Sequence, residues 1–151
     1  MNFRYTARMR FLSLFSFCAI FLLGQSTADP WKATEVQTPA QVAAELKSKP
    51  VVLYVGFPVL YKGAHLPGAH LAGPGSKDDG LAEIKKTLAG VPHDREVILY
   101  CGCCPWEKCP NIRPAYRTIK ELGFTNVRVM SVPTNLHTDW VEPGYPTEKG
   151  Q

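Results

Sequence analysis

Val97-Ile98-Leu99-Tyr100-Cys101-Gly102-Cys103-Cys104-Pro105-Trp106-Glu107-Lys108-Cys109-Pro110-Asn111-Ile112-Arg113-Pro114 is the stretch whose reading decides the fold of this chain. Its first four residues are β-branched, aliphatic or aromatic without a polar break, the pattern of a strand buried on both faces. Cys101, Cys103, Cys104 and Cys109 then fall within nine residues. A helical pattern begins at about Asn111, and Pro114 is tolerable only because it lies in the first turn. Loops that run from the carboxyl end of a strand into a helix amino terminus are where α/β proteins hold anions and reactive groups.

Toward the C-terminus, residues 112–122 carry Ala115, Ile119 and Leu122 on one helical face, with Gly123 as the residue that ends the helix. Residues 127–132 read as the next strand. Thr134 or Asn135 is expected to cap a short last helix that holds Trp140 in the core, and Pro143, Gly144 and Pro146 close the ordered part. Toward the N-terminus, residues 81–88 have Leu81, Ile84 and Leu88 at helical spacing. A loop is expected over 73–80, and residues 61–71 are turn-rich, with Pro67-Gly68 before a short strand at 69–72. His65 and His70 flank that turn and are expected to be satisfied by backbone. Residues 51–55 form a continuous apolar strand ended by Gly56, Phe57 and Pro58. Thr38, Pro39 and Gln41 make a helix start, with the threonine as N-cap, and residues 29–37 read as an extended lead-in. The alternation of helices and strands predicts an α/β fold of three layers, a central parallel sheet flanked by helices.

The first 28 residues carry Arg4, Arg8 and Arg10 with no acid, then a 13-residue run free of charge from Phe11 to Leu23, then small residues at Ser26 and Ala28. These are the three parts of a secretory signal peptide cut before Asp29. The apolar run is shorter than the about 20 residues a bilayer span needs, so no stable membrane anchor is expected after cleavage. Of the 17 basic and 13 acidic residues, the segment removed holds three arginines, which leaves 14 against 13. A near-neutral mature chain without a basic stripe excludes nucleic acid as an expected partner. A periplasmic or secreted address is expected, and about 123 residues remain, enough for one core. Cys18 goes with the signal; the four remaining cysteines sit in one loop, where bridges would close only short loops and constrain little of the unfolded chain.

Three sets of residues resemble the rhodanese-like (sulfurtransferase) domain family. Gly63-Ala64-His65-Leu66-Pro67-Gly68-Ala69 is similar to the family's Gly-His-Ile-Pro-Gly-Ala turn with one residue added. The Val97 strand ends in Cys101 where the family's strand delivers its catalytic cysteine. Leu122-Gly123-Phe124-Thr125-Asn126-Val127, Trp140 and Gly144-Tyr145-Pro146 match the later helix end and the closing segment. The resemblance covers residues 38–146, with 147–151 as a tail. It implies that Cys101 accepts a sulfane sulfur as a persulfide and passes it to a thiol acceptor, with no cofactor required. It also marks departures: Trp106 stands five residues after Cys101 in place of a basic residue, and Gly56 and Phe57 replace an acid and an arginine. The phosphatase and arsenate-reductase branches need an arginine six residues after the cysteine; Glu107 stands there and would repel an oxyanion.

The loop itself admits three readings. In the first, Cys101 is the nucleophile of sulfur transfer or thiol redox exchange. Cys109, near the helix amino terminus, is then a second low-pKa thiol, with Cys103 and Cys104 as redox partners. A small sulfur donor and a thiol acceptor or redox protein are the partners it needs. In the second, the four thiols hold Cu(I) or zinc. In the third, disulfides lock a non-catalytic interaction module. Trp106 and Arg113 are candidates for supporting the loop, and Arg117 for offsetting thiolate charge.

Overall fold

The computed structural model describes residues 28–150. Apart from Ala28, the expected signal peptide lies outside the described residues, and no described helix is long and apolar enough to cross a membrane. Five strands, β1 (Val36–Gln37), β2 (Val51–Tyr54), β3 (Ala69–Leu71), β4 (Val97–Tyr100) and β5 (Val127–Met130), form one sheet in the order β1-β5-β4-β2-β3. Every pairing is parallel. The cysteine-loop strand β4 is therefore central, which explains its unbroken apolar run. All four of its residues are fully buried, and each large aliphatic chain so buried contributes about 1.5–3 kcal/mol.

Helices α1 (Pro39–Glu45), α2 (Pro58–Gly63), α3 (Asp78–Thr87) and α4 (Ile112–Glu121) cover the two faces. One face packs Leu53, Val97, Leu99, Val127 and Val129 against Ile84 of α3 and Ile112, Ala115 and Ile119 of α4. The other packs Val52, Tyr54, Ile98, Tyr100 and Met130 against Val42 of α1, Tyr61 of α2 and Trp140. These are the three layers the alternation predicts. The capping box at the start of α1 is present: Gln41 N–H donates to Thr38 Oγ1 at 3.3 Å, and Thr38 N–H donates to Gln41 Oε1 at 2.8 Å.

Three local differences from the sequence expectation have physical reasons. α2 occupies part of the segment read as turn-rich; Pro58 starts it, but Val59 and Leu60 face outward, so it carries no apolar stripe to read. The lead-in ends as β1, whose two residues pair with Val129 and Met130 at the sheet edge. The last helix is a single wide turn, His137–Val141, with Asn135 Oδ1 accepting from Thr138 N–H; its Trp140 is fully buried and donates to the Pro146 carbonyl at 2.8 Å.

Candidate active site

Strand parity aims Cys101. Side chains alternate along β4, so residues 97, 99 and 101 share one face, and Cys101 joins the core under α4. Gly102 follows with a φ of +79°, and a Cβ there would lie 2.7 Å from Leu136 Cβ. Only glycine fits this left-handed position comfortably. The turn it makes brings the Cys103 sulfur to 3.2 Å from that of Cys101, and Cys104 Sγ lies 3.2 Å from Cys103 Sγ. All four loop cysteines are free thiols; Cys101 and Cys109 are buried, and Cys103 and Cys104 half-buried.

The far side of the loop is built to return Cys109 to the same place. A short 3₁₀ turn, Trp106–Lys108, carries the chain over the sheet end, and the Cys109 N–H donates to the Trp106 carbonyl at 3.1 Å. Trp106 N–H donates to the Val132 carbonyl at 2.9 Å, and its ring stacks on Trp31 with centroids 5.4 Å apart. Arg113 donates to the Cys109 carbonyl at 3.5 Å, pairs with Asp29 and lies over the Trp31 ring. Trp106 and Arg113 thus brace the loop, while Arg117 is solvent-exposed. The sulfurs of Cys101, Cys103 and Cys109 all lie within 4.8 Å of one another.

The electrostatics of this cluster are asymmetric. The Cys101 thiol donates to Cys109 and, with the backbone N–H groups of Asn111 and Ile112 at the start of α4, lowers the Cys109 pKa from its ordinary 9.0 to about 5, against the opposing effect of burial. A helix amino terminus adds a partial positive charge at the same spot. Cys101 is pushed far upward by that same hydrogen bond to Cys109 and then by burial, although the Cys103 N–H favours its ionised form. Ionisation of the pair is therefore favoured on Cys109 over Cys101. Burial, then Cys103, raise Cys104 to about 12.

Two further residues meet the pair without having stood out in the sequence. Asn111 is fully buried; its side-chain oxygen accepts from Ser76 N–H at 3.1 Å and its amide nitrogen points at Cys101 Sγ from 3.6 Å. Its one sequence signal is its position just before α4. Tyr54, at the end of β2, is fully buried, its hydroxyl 3.4 Å from the Phe57 carbonyl, and its pKa is raised by burial and by the neighbouring sulfurs. Gly56 makes room for both: a Cβ there would stand 2.5 Å from the Tyr54 hydroxyl and 3.1 Å from Cys101 Sγ. His65, by contrast, bonds the Tyr61 carbonyl through Nδ1 at 2.8 Å, as a turn histidine should.

An open cavity of about 450 Å³ adjoins the cluster, lined among others by Tyr54, Leu60, Gly102, Cys103, Leu136 and His137. Cys103 is the thiol that lines it.

A thiol at the end of the central strand of a parallel three-layer fold, in a loop that leads into a helix amino terminus, defines a cysteine-centred α/β domain. The family model of the Rhodanese-like domain matches residues 38–131, and the chain belongs to that family. Its fold is similar to that of the Alr3790 protein from Anabaena sp., with 15% identity, a TM-score of 0.57, and 76% of this chain and 92% of that chain covered. Protein hp1203 from Helicobacter pylori is similar with 17% identity, a TM-score of 0.53, and coverage of 78% and 91%. The rhodanese-like domain of the Alr3790 protein in solution matches with 16% identity, a TM-score of 0.54, and coverage of 76% and 79%. No curated protein matches the sequence. Family membership supports chemistry of the sulfurtransferase or related thiol-redox kind.

Proposed function

We propose that this chain is an exported sulfurtransferase or thiol-redox protein in which Cys101 carries sulfane sulfur as a persulfide and Cys109 is its base. The observation that carries the reading is the pair of buried sulfurs, Cys101 at the end of β4 and Cys109 before α4, within 4.8 Å of each other, with Cys109 held below the ordinary thiol value and Cys101 above it. Cys109 takes the Cys101 proton as Cys101 attacks the sulfane sulfur of a small donor. The new sulfur–sulfur bond forms, and the donor leaves with the electron pair of the bond that breaks. An acceptor thiolate then attacks the outer sulfur and departs as a persulfide; Cys101 leaves as a thiolate and recovers its proton from Cys109. The cycle consumes no oxidant and needs no cofactor.

Thiol-redox exchange uses the same pair with one more step. Cys103, its sulfur 3.2 Å from that of Cys101, attacks the inner sulfur of the persulfide and releases hydrosulfide, which leaves a Cys101–Cys103 disulfide. Two electrons from a dithiol partner protein restore it. The cavity beside Cys103 is the approach for donor and acceptor in either case. The basic and apolar pattern of the first 28 residues supports a periplasmic or secreted address.

Sulfur transfer from a polysulfide to a small thiol, followed as acceptor persulfide formed, tests the reading. Wild type is expected to turn over, Cys101→Ser to fall to background, and Cys109→Ser to lose about 100-fold or more, in the range for removal of a general base. Full turnover by Cys101→Ser would overturn the assignment of the nucleophile.

A further inference from the structure

We propose that Cys101, Cys103 and Cys109 also form a three-coordinate site for Cu(I). The proposal does not rest on the sulfur-transfer reading, because it asks of the three sulfurs only their position and softness.

Position comes first. The three sulfurs converge from three separately fixed points: the end of β4, the turn at Gly102, and the residue that the Trp106 carbonyl and Arg113 hold before α4. All lie within 4.8 Å of one another. Metal–sulfur bonds of about 2.3 Å in a plane need sulfurs about 4 Å apart. The 3.2 Å contact between Cys101 and Cys103 has only to open by about 1 Å, and Cys103, half-buried at the cavity wall, is the side chain free to move.

Ligand chemistry then selects the ion. Among the described residues, no histidine or carboxylate belongs to the cluster. An all-thiolate set is soft, and soft sulfur ligands select Cu(I) over harder divalent ions. Structural zinc almost always takes four ligands. The fourth cysteine does not complete that set: Cys104 Sγ touches Cys103 Sγ at 3.2 Å but falls outside the group whose members all lie within reach of one another. Burial of Cys101 and Cys109 keeps water from supplying the missing ligand and shields the ion from oxidation. The cavity gives access, so that Cys103 is the first sulfur an incoming ion meets.

Copper stays Cu(I) throughout, and no electrons move. The thiol protons still present are given to solvent as the copper–sulfur bonds form, so affinity falls as pH is lowered. A bound ion occupies the lone pair that Cys101 needs to attack a donor. Copper occupancy and sulfur carriage therefore exclude each other.

The test is an anaerobic titration of the reduced, full-length mature chain with Cu(I) against bicinchoninate, with X-ray absorption to count sulfur neighbours. One Cu(I) per chain with three sulfur neighbours is expected. Loss of an outer-shell partner of a metal site costs 10–100-fold in affinity, so Cys101→Ser, Cys103→Ser and Cys109→Ser should each cost more than about 100-fold. Cys104→Ser should leave affinity unchanged. The sulfur count on wild type stands whether or not a variant folds. A four-sulfur site, an equal loss in Cys104→Ser, preference for Zn(II) over Cu(I), or no stoichiometric binding would each overturn the proposal. Sulfur transfer measured on the copper-free chain is a separate readout, so failure of one reading leaves the other standing.

Discussion

Replacing Cys101 with alanine should move the proton equilibrium of a residue it is not bonded to in sequence. Cys109 ionises at about 5 rather than 9.0, first because the Cys101 thiol donates to it, and next because the Asn111 and Ile112 amides do. A hydrogen bond to a charged group is worth about 1.5–3 kcal/mol, and one pKa unit is about 1.4 kcal/mol. Loss of the donor should therefore raise Cys109 by about 1–2 units, to about 6–7. It should stay below its ordinary value, because the helix-terminal amides remain. Ultraviolet thiolate absorbance against pH reads this directly: one thiolate appears near pH 5 in wild type and later in Cys101→Ala. Cys101→Ser supplies a hydroxyl donor in the same place and should recover most of the shift. A midpoint unmoved by the alanine would refute the reasoning, for the helix amino terminus alone would then be holding the anion.

Three more outcomes are expected. The depressed pKa of Cys109 links ionisation to folding: its contribution to stability is complete above the unfolded value near 9.0 and is lost as pH falls through about 5. The melting temperature of wild type relative to Cys109→Ser should accordingly rise between those limits, and a flat difference would contradict it. Asn111→Ala strands the Ser76 N–H and empties a fully buried site; denaturant unfolding should show a loss of about 1–3 kcal/mol, where a change near zero would mean that water replaces the side chain. Trp31→Ala removes a buried ring stacked on Trp106 and should cost about 3 kcal/mol or more, with faster amide hydrogen exchange across the cysteine loop than in the sheet.

The elements set by local pattern were legible in the chain, and those set by tertiary approach were not. β4 announced itself by four consecutive buried residues, α1 by its capping box, and the end of α4 by Gly123, whose φ is +90°. α2 gave no signal because Val59 and Leu60 face solvent and Tyr61 alone of its residues is buried. β1 is two residues long, and only its pairing with β5 makes it a strand. At the site, the four cysteines, Trp106 and Arg113 were visible as candidates, and the structure gathers three of the sulfurs into one cluster and puts the other two side chains behind the loop.

Spacing puts Cys109 near the helix amino terminus but does not rank it against Cys101. The sequence places Cys101 in the setting of a low-pKa thiol, whereas the first amides of α4 meet Cys109, because the five-residue excursion Cys104 to Lys108 delays the helix until after that residue. Asn111 and Tyr54 were silent for a related reason: each reaches the sulfurs from a different element, and only the folded sheet brings β2, β4 and α4 to one point. Trp31 lay in a segment read as a polar lead-in, and its burial follows from the second tryptophan that the loop sends to meet it.

The most direct measurement is residue-by-residue mapping of the persulfide. The reduced protein is loaded with a polysulfide, capped with an alkylating reagent and digested, and the peptides are read by mass spectrometry. The added mass of one sulfur atom is expected on Cys101, and to disappear in Cys101→Ser. The same mass on Cys109 or Cys104 with Cys101 unmodified would contradict the assignment of Cys101 as the sulfur carrier.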